Sequence, residues 1–122
     1  MKQVRIALVG LGNVGKAFLQ LMVEKEALLR TRYDLALVLT AAADSSGGVV
    51  NPAGIDPAAL LAAKLDGRGA GRFEGGEAGL SAVDAVARAD VDLLLEASPV
   101  NLRTGQPGLD CVRTAIGRGM SC

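Results

Sequence analysis

The sequence predicts an α/β protein of the Rossmann type, a doubly wound parallel sheet in a single domain spanning residues 1–122. Apolar runs of strand length alternate along the chain with stretches of helical periodicity, which is typical of βαβ units with right-handed crossovers. Hydrophobic residues make up 50% of the chain and aromatic residues only 2%, so the core must consist of Ala, Val, Leu and Ile. Such a core suits a buried sheet covered by helices.

The first strand, loop and helix carry the clearest signal. Residues 4–9 form an apolar run, and a helix is predicted from near Asn13 to about Arg30. The loop between them is a GxGxxG pattern, Gly10-Leu11-Gly12-Asn13-Val14-Gly15. Strand, loop and helix in this order predict a site for the pyrophosphate of a dinucleotide, although a glycine-rich turn without a ligand is the alternative.

Each glycine of the loop has a predicted task. Gly10 lets the chain turn sharply off the strand, and Gly12 leaves room for the pyrophosphate to reach backbone N–H groups. Gly15 lets the helix pack closely. The amides of the helix N-terminus would then stabilise the phosphate anion.

The middle of the chain is predicted in two parts. Residues 35–43 read as a strand buried on both faces, and residues 44–48 as a loop on the same sheet edge as the glycine loop. Residues 47–79 read as a variable excursion with one short helix over residues 58–65, capped by Asp56 and started by Pro57. A strand and a mobile surface loop are both open for residues 66–79.

Order is predicted to return at Ser81, which can cap a helix together with Asp84. A buried strand follows over residues 91–96, then a loop over 97–101 and a helix starting at Pro107 and ending at Gly117. Residues 120–122 read as the opening of a further strand.

Two further positions are candidates for cofactor contacts. Asp44, followed by Ser45, ends the second long strand, where a carboxylate can accept hydrogen bonds from the adenosine ribose. Asp44 lies further from the glycines than the usual spacing of about 20 residues, and a loop carboxylate facing water is the alternative. Ala97, Ser98 and Pro99 follow a central strand, where small residues leave room for the nicotinamide ribose, and a proline-containing turn is the alternative there.

Composition narrows the possible functions. Lys plus Arg and Asp plus Glu each number 13, so no overall field attracts nucleic acid or an anionic membrane. The chain has no His and two separated cysteines, Cys111 and Cys122, so no metal site and no His-based catalysis is expected. Without a signal-peptide pattern or an apolar run of about 20 residues, we expect a cytoplasmic protein.

The residues quoted above, with the block from Glu96 through Asn101 and Thr104-Gly105-Gln106-Pro107 to Gly119, resemble the amino-terminal domain of homoserine dehydrogenase. The resemblance is weakest between residues 49 and 80. It implies NAD- or NADP-dependent interconversion of aspartate semialdehyde and homoserine, in the biosynthesis of threonine and methionine. It also implies that the nicotinamide dinucleotide contacts the glycine loop, Ser98 and Pro99.

The same resemblance implies that the catalytic residues and the dimerisation region lie beyond residue 122. We therefore expect binding without turnover from these 122 residues, and a homodimer only for a longer protein. Two alternatives are kept: the cofactor domain of another amino-acid dehydrogenase, and a stand-alone NAD(H)-sensing module. Coenzyme preference stays open, because Ser45 and Ser46 could bind a 2′-phosphate as readily as a hydroxyl.

Overall fold

The computed structural model describes residues 2–89 and 91–97. In these residues the strands are β1 (Lys2–Val9), β2 (Leu35–Asp44), β3 (Gly47–Ile55), β4 (Gly76–Ala78) and β5 (Leu93–Glu96). The α-helices are α1 (Asn13–Tyr33), α2 (Pro57–Leu65) and α3 (Ala82–Arg88), with a 3₁₀ turn at Ala70–Arg72. No helix within this part of the chain combines the length and apolarity needed to span a membrane.

The five strands form one sheet in the order β4-β3-β2-β1-β5. Strand β1 pairs in parallel with both β2 and β5, as predicted for the centre of the fold. The prediction of a wholly parallel sheet is wrong at one edge, because β3 pairs antiparallel with β2, and β4 antiparallel with β3. The physical reason is the tight turn after Asp44, which pairs directly with Gly47 and so reverses the chain without a crossover.

Gly47 and Gly48 therefore lie in a strand, and the predicted loop over residues 44–48 is correct only for its turn. A Cβ at Gly47 would overlap the carbonyl oxygen of Glu77 in β4, and Gly47 also has a positive φ of 145°. These glycines permit close approach of two strands, whereas the sequence pattern is typical of a loop.

Helices cover both faces of the sheet. Ile6 and Leu8 of β1 pack in one cluster with Leu19 of α1 and Leu60 of α2. The alternate residues, Ala7 and Val9, pack in a second cluster that includes Val86 of α3. The period of two along β1 thus supplies two cores, which confirms the doubly wound α/β fold.

The three helices predicted within the described residues agree with the structure within a few residues. Helix α1 continues to Tyr33, and the Asp34 residue after it adopts a left-handed conformation. The Asp56 carboxylate accepts a hydrogen bond from the amide of Ala58 (3.0 Å), and the Ser81 hydroxyl accepts one from Asp84 (3.1 Å), so both predicted caps are confirmed.

The excursion is more ordered than a surface loop. Residues 66–79 contain the 3₁₀ turn and strand β4, and Ala70 is fully buried. Strand β5 begins at Leu93, two residues later than predicted. The helix predicted over residues 107–117, the loop beyond Ala97 and the strand opening at 120–122 lie outside the described residues.

Candidate cofactor pocket

A cavity of about 570 Å³ opens where β1 and β2 end, at the carboxyl edge of the parallel strands. We call it the glycine pocket. Its lining residues come from the glycine loop, the end of β2 and both helical layers: Val9, Gly10, Leu11, Gly12, Lys16, Ala43, Asp44, Ser45, Lys64 and Ala82. This edge is where open α/β sheets bind their ligands.

The structure supports the conformational tasks predicted for Gly10 and Gly15, and it shows open space beside Gly12. Gly10 has a φ of 94°, which a residue with a side chain rarely adopts, and its amide donates to the carbonyl of Ala43 (2.8 Å). A Cβ at Gly15 would overlap the carbonyl oxygen of Gly10, so the first turn of α1 packs directly on the loop. A Cβ at Gly12 would have no heavy atom within 4 Å, so it would occupy free space.

The N-terminus of α1 is suited to an anion. Gly12 is its N-cap residue, no side chain of the described residues caps the helix, and its first turn holds no acidic residue. The free amides and the positive end of the helix dipole favour a phosphate group at this position. Lys16, at the end of the first turn of α1, lines the pocket and adds positive charge.

The other loop residues differ in what they present to the pocket. The Leu11 side chain belongs to the core cluster beneath the sheet face, so only its main chain is available to a ligand. Asn13 is exposed, and Val14 is 69% exposed. Neither Asn13 nor Val14 lines the glycine pocket, so within residues 10–14 the loop presents mainly main-chain groups to it.

Asp44 is at the pocket wall, but its carboxylate is enclosed by protein. The side chain is 5% exposed. Its Oδ1 accepts hydrogen bonds from the amide (2.9 Å) and the hydroxyl (2.6 Å) of Ser46. Its Oδ2 accepts from Lys64 Nζ and from the amide of Ala70, both at 2.9 Å. The alternative of a loop carboxylate facing water is thus wrong.

This environment shifts the titration of Asp44. Burial alone would raise the pKa of Asp44, but the hydrogen bonds from Ser46, Lys64 and Ala70 together hold that pKa below its ordinary value. The carboxylate is therefore ionised at neutral pH and is balanced by the Lys64 ammonium.

Of the remaining predicted contacts, the structure describes Ser45 and Ala97. Ser45 is exposed and lines the glycine pocket, and its contact with the cofactor stays a prediction. The amide of Ala97 donates to the carbonyl of Val9 (2.7 Å), which brings the chain leaving β5 beside the strand that carries the glycine loop. Ser98 and Pro99 lie outside the described residues.

Sequence reasoning did not single out Lys16 and Lys64. Lys16 directly follows the third glycine of the loop. Its place in the first turn of α1 could have indicated a positive charge near the predicted phosphate site. Lys64 lies 20 residues after Asp44, and only the return of α2 toward the end of β2 brings the two together.

A glycine loop between a central parallel strand and an uncapped helix defines a nucleotide-binding domain of the Rossmann type. The model of the family described as Glutamate/Leucine/Phenylalanine/Valine dehydrogenase matches residues 1–101. The chain belongs to this dehydrogenase family.

Curated relatives carry a more specific description. The homoserine dehydrogenase of Methanocaldococcus jannaschii is 28% identical over 102 residues, which cover 84% of this chain and 30% of the relative. The NAD(+)-dependent homoserine dehydrogenase of Pseudomonas canavaninivorans is 28% identical over 120 residues, which cover 98% of this chain and 34% of the relative. The chain spans about a third of the length of these relatives.

Solved structures similar to this chain carry the same description as the curated relatives. A crystal structure from Archaeoglobus fulgidus assigned as a homoserine dehydrogenase has a TM-score of 0.73 at 25% identity, covering 96% of this chain and 32% of that one. A hyperthermophilic archaeal homoserine dehydrogenase in complex with NADPH has a TM-score of 0.74 at 19% identity, covering 98% and 34%, and supports the fold. The resemblance to the amino-terminal domain of homoserine dehydrogenase is confirmed by these relatives.

Proposed function

We propose that this chain is the NAD- or NADP-binding domain of a homoserine dehydrogenase. The observation that carries the proposal is the geometry of Gly12: it lines a cavity of about 570 Å³, and a Cβ there would meet no protein atom within 4 Å. A dinucleotide pyrophosphate needs such a gap beside free amides at a helix N-terminus. The coenzymes named for the relatives, NAD(+) and NADPH, support the same assignment.

The residues of this chain would bind and orient the coenzyme. The amides at the start of α1 would bind the pyrophosphate, with Lys16 adding to the positive potential. Asp44 and Ser45 would form the wall at the adenosine end, and Ala97 with Ser98 and Pro99 would lie at the nicotinamide end. When bound, the nicotinamide would supply or accept the hydride.

We further propose that residues 1–122 act as one domain that binds coenzyme without turning over substrate. This follows from the share of the relatives that the chain spans and from the expectation that the catalytic residues lie further along. A cytoplasmic location, and a homodimer for a protein that includes the dimerisation region, stay predictions.

A second candidate is a dehydrogenase acting on glutamate, leucine, phenylalanine or valine, because the matching family model is described by these four amino acids. Assays of the complete gene product with homoserine and with each of the four, using NAD(+) and NADP(+), separate the candidates. Activity with homoserine alone supports the first proposal, and activity with one of the four supports the second. Turnover of none would favour the NAD(H)-sensing alternative.

The central experiment is titration of the chain with NADH and NADPH, followed by nicotinamide fluorescence. We expect saturable binding, and we expect Gly12→Val to abolish it while leaving the fold intact, because the new side chain fills the gap for the pyrophosphate. Leu21→Ala is the control, since Leu21 lies on the same helix, is 47% exposed and is outside the pocket lining. Absence of saturable binding to the unaltered chain would refute the assignment, and unchanged affinity in Gly12→Val would make the loop structural only.

A further inference from the structure

The Asp44 carboxylate has no accepting position left for a ribose hydroxyl. An ionised carboxylate offers about four lone-pair sites, two on each oxygen. Oδ1 is occupied by the amide and hydroxyl of Ser46, and Oδ2 by Lys64 and the amide of Ala70. A ribose hydroxyl could bind only by displacing one of these donors.

These donors join three separate parts of the chain. Ser46 is in the β2–β3 turn, Lys64 is in the last turn of α2, and Ala70 begins the 3₁₀ turn. The Ser46 hydroxyl, which donates to Asp44, also accepts from the amide of Gly71 (3.1 Å). We call Asp44, Ser46, Lys64, Ala70 and Gly71 the Asp44 cluster. It holds α2 and the 3₁₀ turn, both within the excursion, against the end of β2.

The charges of the cluster also matter for the pocket. Asp44 and Lys64 both line it, and Lys64 is 25% exposed while Asp44 is 5% exposed. The negative charge is therefore the more deeply enclosed of the two and is balanced at 2.9 Å. An unpaired carboxylate here would repel a 2′-phosphate, but a balanced pair has no net charge with which to do so.

We propose that Asp44 is a positioning residue that closes the adenosine end of the glycine pocket, and that the pocket accepts 2′-phosphorylated and unphosphorylated coenzyme alike. This inference rests on the proposed coenzyme binding and concerns how the ribose end is built. Asp44 holds Lys64 and the 3₁₀ turn in place and does not accept hydrogen bonds from the ribose.

The test compares the affinities for NADH and NADPH in the unaltered chain and in the charge-balanced double variant Asp44→Asn/Lys64→Gln. In the unaltered chain we expect the two dissociation constants to agree within about tenfold. In the double variant we expect both affinities to fall together, with their ratio kept within about threefold, because the pocket wall loosens without a change in net charge. Faster hydrogen exchange at the Ala70 amide would accompany this loss.

Asp66→Asn is the matched control, since Asp66 lies two residues from Lys64, is 73% exposed and is outside the pocket lining. It should change neither affinity. In the double variant, a selective loss of NADH binding by tenfold or more would make Asp44 a ribose ligand and overturn the inference. Unchanged affinities would overturn it as well, because the cluster would then be unrelated to binding.

The single variant Ser46→Ala provides a second test that can be used if the double variant does not fold. It keeps both charges and removes the hydroxyl that joins Asp44 to Gly71. We expect a joint loss of affinity with the NADH-to-NADPH ratio preserved, and an effect confined to NADH would contradict the proposal. If neither coenzyme binds the unaltered chain, the proposed function itself fails. If both coenzymes bind but the NADH-to-NADPH affinity ratio changes in the variants, only the inference about Asp44 fails.

Discussion

The glycine loop must both pack closely for folding and leave room for a ligand, and substitutions at single glycines can separate these two requirements. The space beside Gly15 is filled by the backbone of Gly10, whereas the space beside Gly12 is open. Gly15 is therefore required for folding, whereas we expect Gly12 to be required for binding. The sequence pattern alone treats all three glycines of the motif in the same way.

Gly15→Ala should therefore destabilise the fold. Its Cβ would overlap the Gly10 carbonyl, and overpacking against backbone costs about 1–3 kcal/mol or more. Gly12→Ala should cost less than about 1 kcal/mol, the scale of exchanging an N-cap glycine for alanine. Urea denaturation of both variants measures this difference, and equal losses of stability would contradict the assigned roles.

Asp44 also makes the stability of the chain depend on pH. Its pKa is lowered in the folded state, so the ionised cluster stabilises the fold above the unfolded-state value of about 3.9. This contribution is lost as the pH falls from there through the lower folded-state pKa. We expect the free energy of unfolding to decline more steeply on acidification in the unaltered chain than in Asp44→Asn, measured by urea denaturation at several pH values. Parallel curves for the two proteins would rule out this role.

At the scale of elements, the short helix α2 matters because it carries Lys64 to the pocket. Its start is fixed by the Asp56 cap and by Pro57 at the first helical position. Its end is held by the contact between Lys64 and Asp44. The Asp56 cap, a local feature of the sequence, thus helps to position Lys64 in the pocket wall.

Asp56→Ala removes that cap and should cost about 0.5–2 kcal/mol in the free energy of unfolding. It should also weaken coenzyme binding slightly, because α2 holds Lys64. Thermal unfolding and the fluorescence titration measure the two effects. Asp66→Asn, at the exposed end of the same helix, is the control and should change stability by less than about 0.5 kcal/mol. An equal loss in both variants would contradict the capping role.

Strand β3, which follows β2 through a tight turn, is the long strand that the sequence pattern did not predict. Both long central strands were predicted, since continuous apolar runs are typical of strands buried on both faces. Strand β3 was missed because Asn51, Pro52 and Gly54 interrupt its apolar residues. In the structure the pairing with β2 breaks between Leu39 and Ala41, so these residues lie in an irregular part of the strand.

At the scale of the whole molecule, one sheet with helices on both faces places distant segments at a single edge. Residues 9–12, 43–45, Lys64 and Ala82 meet around the glycine pocket although they are spread over more than half of the chain. The mixed sheet order adds the antiparallel β3 and β4 beyond β2, and the buried Ala70 packs beneath this edge. The ends of β1 and β2 and the glycine loop supply most of the pocket wall, and the excursion adds Lys64 to it.

The sequence by itself determined the central βαβ pattern, the glycine loop and the helix caps. These are local features, set by side-chain periodicity, by residues suited to turns and by hydrogen bonds between near neighbours. Only the tertiary structure decided the antiparallel edge and the state of Asp44. Its partners Lys64 and Ala70 lie 20 and 26 residues away, and their approach depends on how the excursion packs rather than on any local pattern.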